Sequence, residues 1–109
     1  MSEAYDRNRL VELFGDDFRT LADVEREFLD TVRTAEREIA GTDDLVAIAH
    51  IAHRLKGASG MIGATALHRI AEAVEDAAKV DDLPGVRRLH DMFSQEMRRV
   101  AKQAGAAYA

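Results

Sequence analysis

The chain has 109 residues, 47% hydrophobic and 32% charged, which fits one ordinary globular domain and argues against global disorder. It contains no cysteine, which excludes disulfides, thiolate zinc sites, iron–sulfur clusters and cysteine nucleophiles. A net charge of −5 is the wrong sign for a dedicated nucleic-acid binder, and no apolar run approaches the ~20 residues of a membrane span. The polar stretch from Met1 to Leu10 does not read as a signal peptide, so the expected location is cytoplasmic.

In chain order, a weak first helix is expected over about Ala4 to Phe14, with Leu10, Val11 and Phe14 as its apolar side. Gly15 then stops it, and Asp16-Asp17 supplies an N-cap acid for the next. The second helix is the clearest. Phe18, Leu21, Val24, Phe28, Val32, Ala35 and Ile39 step by three or four, with charges between them, until Gly41. Thr42 or Asp43 is the expected cap of a third helix carrying Leu45, Ile48, Ile51 and Leu55 toward Ile62, interrupted at Gly63. Thr65 is the expected cap of a fourth, with Leu67, Ile70, Ala71, Val74 and Ala78 inward. Asp81-Asp82-Leu83-Pro84 is the next break. One last helix places Val86, Leu89, Phe93, Met97 and Val100 on one side, and the tail from Gln103 is expected to fray. No segment alternates with period two, so no strand is expected. Short loops between long helices make antiparallel neighbours. The expected fold is an all-α, antiparallel up-and-down four-helix bundle with a short extra N-terminal helix, in a single domain over 1–109 whose core spans about 10–101.

The third helix carries the chemistry. At about 100° per residue from His53, the apolar residues Ile48, Ile51, Leu55 and Ile62 fall between about 140° and 220°. His53 therefore points at solvent. Gly57 and Gly60 follow in nearly the same direction, flanked by His50 and Lys56. A glycine inside a helix costs about 1 kcal/mol relative to alanine, so this stripe asks for a reason. A histidine with no side chains just beyond it is a flat face on which a partner backbone can lie. A neutral imidazole is a nucleophile able to carry a phosphoryl group, and Lys56 adds a nearby positive charge. Nucleotide-binding loops and kinase motifs are missing, so any phosphate must come from another protein.

The run Ala52-His53-Arg54-Leu55-Lys56-Gly57-Ala58-Ser59-Gly60-Met61-Ile62-Gly63-Ala64 closely resembles the signature of histidine-containing phosphotransfer (HPt) domains, roughly AHxLKGxxxxxG. The flanks agree: a long preceding helix, a Gly41-Thr42-Asp43 turn, and Leu67 with Glu72 and Glu75 after the motif. The resemblance implies a phosphohistidine carrier in a two-component His-Asp phosphorelay, without kinase activity of its own. Its partners would be receiver domains of response regulators and hybrid histidine kinases, not nucleic acid or membrane. His53 would be the phosphoacceptor and Lys56 would supply charge to the phosphoryl group. Gly57 would leave room for the partner, and His50, Arg54, Gly60 and Met61 would border the docking face. No cofactor is implied, since the magnesium of the reaction would belong to the receiver's acidic pocket.

The competing readings are blander. His50 and His53 at i, i+3 could share a metal, but no Glu-x-x-His pair supports one, so no metal site is expected. His68 and His90 read as surface or boundary residues. Arg87-Arg88 and Arg98-Arg99-Lys102 read as a solvated face, given Asp91 and Glu96 beside them. No spare apolar face demands a dimer, so a monomer is expected. Two functional alternatives stand beside the carrier: an interaction bundle that binds a receiver or kinase without phosphorylation, and the phosphoacceptor domain of a chemotaxis-type kinase. The start at Met1 favours a free-standing protein over the latter.

Overall fold

The computed structural model describes residues 3–106. Six helical segments follow one another: α1 (Arg7–Phe14), α2 (Phe18–Ala40), α3 (Leu45–Met61), α4 (Thr65–Lys79), α5 (Leu83–Arg88) and α6 (His90–Ala106), and no strand occurs among the described residues. The long helices α2, α3, α4 and α6 close a four-membered ring, with α2 against α3 and α6, and α4 against α3 and α6. Short α1 leans on α2. The bundle measures 43 × 23 × 22 Å, and the 23-residue α2, about 35 Å long at about 1.5 Å per residue, runs most of its length.

The expected periodicities produce the core. Leu21, Phe28, Val32, Ala35 and Ile39 of α2 are buried against Ile48, Ala52 and Leu55 of α3, with Leu67, Ile70, Ala71, Val74 and Ala78 of α4 and Phe93 and Val100 of α6. Phe18 departs from its stripe: it opens α2 and is 60% exposed, and Val11 and Phe14 on α1 are also exposed. Helix α1 is only eight residues long and buries Leu10 alone.

The helix ends correct several expectations. Helix α1 begins at Arg7, because Asp6 accepts from the amides of Asn8 and Arg9. Ala4 and Tyr5 precede it and are buried. Tyr5 packs edge-on against Phe28, with centroids 5.9 Å apart, and its hydroxyl donates to buried Glu25. Helix α3 is capped by Asp44, which accepts from Val46 and Ala47, while Thr42 accepts from the Asp44 amide and Asp43 pairs with Arg87. Thr65 lies inside α4, whose N-cap is Ala64 with no side-chain bond. The expected last helix is two segments. At Leu89 the amide bonds back three residues to Val86, tightening the turn between α5 and α6. Asp82 caps α5, accepting from the Gly85 amide.

Arg87 is not a solvated charge: it donates to the Ile39 and Thr42 carbonyls and to Asp43, tying α5 to the end of α2. Nor does the chain fray at Gln103. Its carboxamide accepts from the Ala4 and Tyr5 amides and donates to the Tyr5 carbonyl, and Ala104 is fully buried. Burial thus extends past the expected 10–101 stretch at both ends. The rest of the expected frayed tail, 107–109, lies outside the described residues.

Gly63 ends α3 with φ +69°, and a Cβ there would sit 2.7 Å from Asp6 Cβ. Both strain and collision oppose a side chain, so Gly63→Ala is expected to lower stability by about 1–3 kcal/mol. Urea unfolding of the variant checks this; wild-type stability would contradict it.

Candidate functional site

Helices α3 and α4 share the most extensive contact in the bundle. Small residues on their facing sides, Ala52, Ser59, Ala71 and Ala78, are all buried, and they let the backbones approach. On the α4 side of this seam lies Glu75, with a side chain only 2% exposed. It falls within the apolar stripe of α4, one turn from both Ala71 and Ala78. A buried carboxylate needs partners, and α3 supplies two of them.

His53 Nδ1 lies 2.9 Å from Glu75 Oε2. The Lys56 ammonium forms an ion pair with Glu75 Oε1 at 2.7 Å. Lys79, four residues on from Glu75, places its ammonium 3.1 Å from Oε2. Lys56 acts most strongly on the carboxylate. Its hydrogen bond to the carboxylate, with lesser help from those of Lys79 and His53, overcomes burial and lowers the Glu75 pKa from 4.5 to about 2. In turn Glu75 holds the Lys56 ammonium above its ordinary range, aided by Glu72 and Asp76 and opposed by burial.

Ionised Glu75 can only accept a hydrogen bond. Nδ1 of His53 therefore carries the proton that it donates. In the neutral ring this leaves the Nε2 lone pair unprotonated. The side chain is 66% exposed, and no described protein group bonds Nε2. The arrangement presents a nucleophilic nitrogen to solvent from a ring oriented at its other nitrogen.

The predicted stripe is largely where the periodicity places it. His50, His53, Arg54, Gly57, Gly60 and Met61 are all exposed, and His50, His53 and Arg54 line one shallow depression. A Cβ on Gly57 would meet nothing within 4 Å, so that position is open to solvent. Gly60 is closer to its surroundings: a Cβ there would lie 3.3 Å from His68 Nδ1, which is itself 3.0 Å from the Lys56 carbonyl. Lys56 departs from the stripe, since its side chain turns toward the α3–α4 seam and is 25% exposed. Met61 adjoins a largely apolar groove with Phe14, Val24, Phe28 and Ala58. Among the described residues no group of three or more His, Asp or Glu side chains is placed to hold a metal ion.

In the sequence Glu75 stands only as a flank of the motif, with no direct sign of these contacts. The available signal was a carboxylate inside an apolar stripe, at a position where burial demands a counter-charge.

A helical bundle that offers an oriented, exposed imidazole on the flank of one long helix is the class this geometry defines. A family model described as the Hpt domain matches residues 9–107, and the chain belongs to that family. Comparisons with curated proteins and with solved structures each return no significant match. Hpt domains are phosphocarrier modules of His-Asp phosphorelays and interact with receiver domains. No helix among the described residues is long and apolar enough to cross a membrane.

Proposed function

We propose that this chain accepts a phosphoryl group on His53 Nε2 from a receiver-domain aspartate and returns it to another. The observation that carries the proposal is the donation of His53 Nδ1–H to buried Glu75, which leaves Nε2 as the exposed nucleophile. In the forward step the Nε2 lone pair attacks the phosphorus of the aspartyl phosphate. The P–O bond breaks and its electron pair stays on the receiver's carboxylate. The positive charge that appears on the ring faces Glu75 through the Nδ1 proton. Return transfer runs the same path backward, with an aspartate oxygen attacking phosphorus and the N–P pair returning to Nε2.

Lys56 shares the Glu75 carboxylate with His53, and in our reading it serves the phosphoryl oxygens as a point charge. The magnesium of the reaction belongs to the receiver's acidic pocket, and this chain supplies no cofactor. The receiver lies on the face bounded by His50, Arg54, Gly57, Gly60 and Met61. The exposed apolar residues Phe14 and Met61 beside that face favour a protein partner over a small molecule. We place the carrier in the cytoplasm, as a monomer, acting between response regulators and hybrid kinases.

Gly57 separates docking from folding. Gly57→Ala is expected to raise stability by up to about 1 kcal/mol, because its Cβ meets nothing and alanine is the better helix former. Gly57→Glu is expected to weaken receiver binding by at least about tenfold while the bundle stays folded. Calorimetric titration against a receiver checks this; an unchanged binding constant would remove the face from the interface.

The direct test is transfer of label from receiver domains phosphorylated by their own kinases. Label on this chain that is acid-labile and base-stable is the expected result. Receiver binding without label would support an interaction-only bundle instead.

A further inference from the structure

Lys56 has two demands on it in the proposed cycle. In the resting structure its ammonium neutralises Glu75 at Oε1. On the phosphorylated ring the same ammonium is wanted at the phosphoryl oxygens. Were it the sole lysine on Glu75, its departure would strand a buried carboxylate beside a single imidazole. Such a group takes up a proton or recaptures its partner. Either outcome would spoil the donation from His53 Nδ1 or hold Lys56 back.

Lys79 is placed to prevent this. Its ammonium lies on Oε2, the oxygen that also accepts from His53, and leaves Oε1 to Lys56. It is the last residue of α4 and stands four residues after Glu75. A glutamate followed by a lysine at that spacing is the favourable orientation, and a cation at a helix C-terminus is favoured as well. Its stem is therefore held by two local effects independent of α3. The other charges facing the Lys56 ammonium, Glu72 and Asp76, are acidic and cannot replace it on the carboxylate.

We propose that Lys79 is a positioning residue for phosphotransfer: it is the standing counter-ion of Glu75, which keeps that carboxylate on His53 while Lys56 leaves for the phosphoryl group. This rests on the reading of Lys56 given above. The test is therefore read first on the free, unphosphorylated protein, where the Lys56→Ala change imitates its departure. The imidazole ¹⁵N spectrum reports which ring nitrogen of His53 carries the proton.

At neutral pH, Lys56→Ala and Lys79→Ala taken singly are expected to keep the wild-type Nδ1–H signature, since one lysine remains on Glu75 in each. The double variant is expected to lose it, with both nitrogens moving toward averaged shifts. Lys79→Arg in the Lys56→Ala background is expected to restore it. A lysine that merely caps α4 would change stability and leave this spectrum alone. A double variant whose spectrum matches that of Lys56→Ala would therefore overturn the proposal. In transfer assays Lys79→Ala is expected to be slower by about tenfold, a typical size for directly coupled neighbours, despite its unaltered resting spectrum. Transfer at the wild-type rate would likewise overturn it. Loss of the proposed carrier activity altogether would show as no label on any variant, while the ¹⁵N result would stand unaffected.

Discussion

His53→Gln is expected to abolish phosphate acceptance while leaving the bundle folded. The side chain is 66% exposed, so its replacement changes little packing, and stability should stay within about 0.5 kcal/mol of wild type. Glutamine can still donate toward Glu75, which keeps the buried carboxylate partnered. What it lacks is a nucleophilic nitrogen lone pair, because its amide nitrogen is delocalised into the carbonyl. The decisive comparison is acid-labile label on wild type and variant, measured beside their circular dichroism and unfolding midpoints. Undiminished label on a folded variant would sink the assignment and turn attention to His50, one turn back on the same exposed face.

Glu75→Gln should separate the orienting group from the nucleophile. Glutamine is nearly the same size but uncharged, and its amide can donate to Nδ1 as readily as its carbonyl can accept. Donation to Nδ1 selects the tautomer that protonates Nε2, which is then no nucleophile. Transfer is expected to fall by about 10²-fold, within the usual range for a positioned proton partner. The variant also has a pH signature. The Glu75 pKa is lowered from 4.5 to about 2 in the folded protein, chiefly by Lys56. Such a group contributes stability that is fully present above pH 4.5 and is lost as the pH falls toward 2. The stability gap between wild type and Glu75→Gln should therefore be constant near neutrality and narrow across that acidic window. Urea unfolding at pH 7, 4 and 2 measures it. A gap that does not change with pH would mean that the carboxylate is not held ionised by its neighbours.

How far the sequence could be read depended on whether a feature was local or required two distant segments. Helix periodicity is local, so the buried stripes of α2, α3 and α4 and the outward direction of His53 were legible. The motif around His53 was legible for the same reason. The contacts made by Glu75 were not, because Glu75 lies 22 residues from His53 and only the packing of α3 on α4 joins them. The turned-in side chain of Lys56 follows from the same contact. Caps were harder still. Thr42, Asp43 and Asp44 are all chemically suited to begin α3; Asp44 takes the cap, while Asp43 is engaged by Arg87 from 44 residues away. Leu89 offers no local breaker, so the division between α5 and α6 had no sequence signal. Gln103 gave none either, since its partners Ala4 and Tyr5 sit at the opposite end of the chain.

That last contact has a topological consequence. Residues 4–5 and 103 are hydrogen-bonded to each other, so the chain enters and leaves the bundle at one place. The Asp6 amide also bonds the Ile62 carbonyl, which sets the entry point at the end of α3, nine positions beyond His53. At about 1.5 Å per helical residue, that is roughly 13 Å along the helix axis from the imidazole. The domain is thus built like a bead with both threads at one pole and its reactive group on the flank. A longer polypeptide could carry it as an insertion, or swing it on a tether from either side, without unpicking a helix.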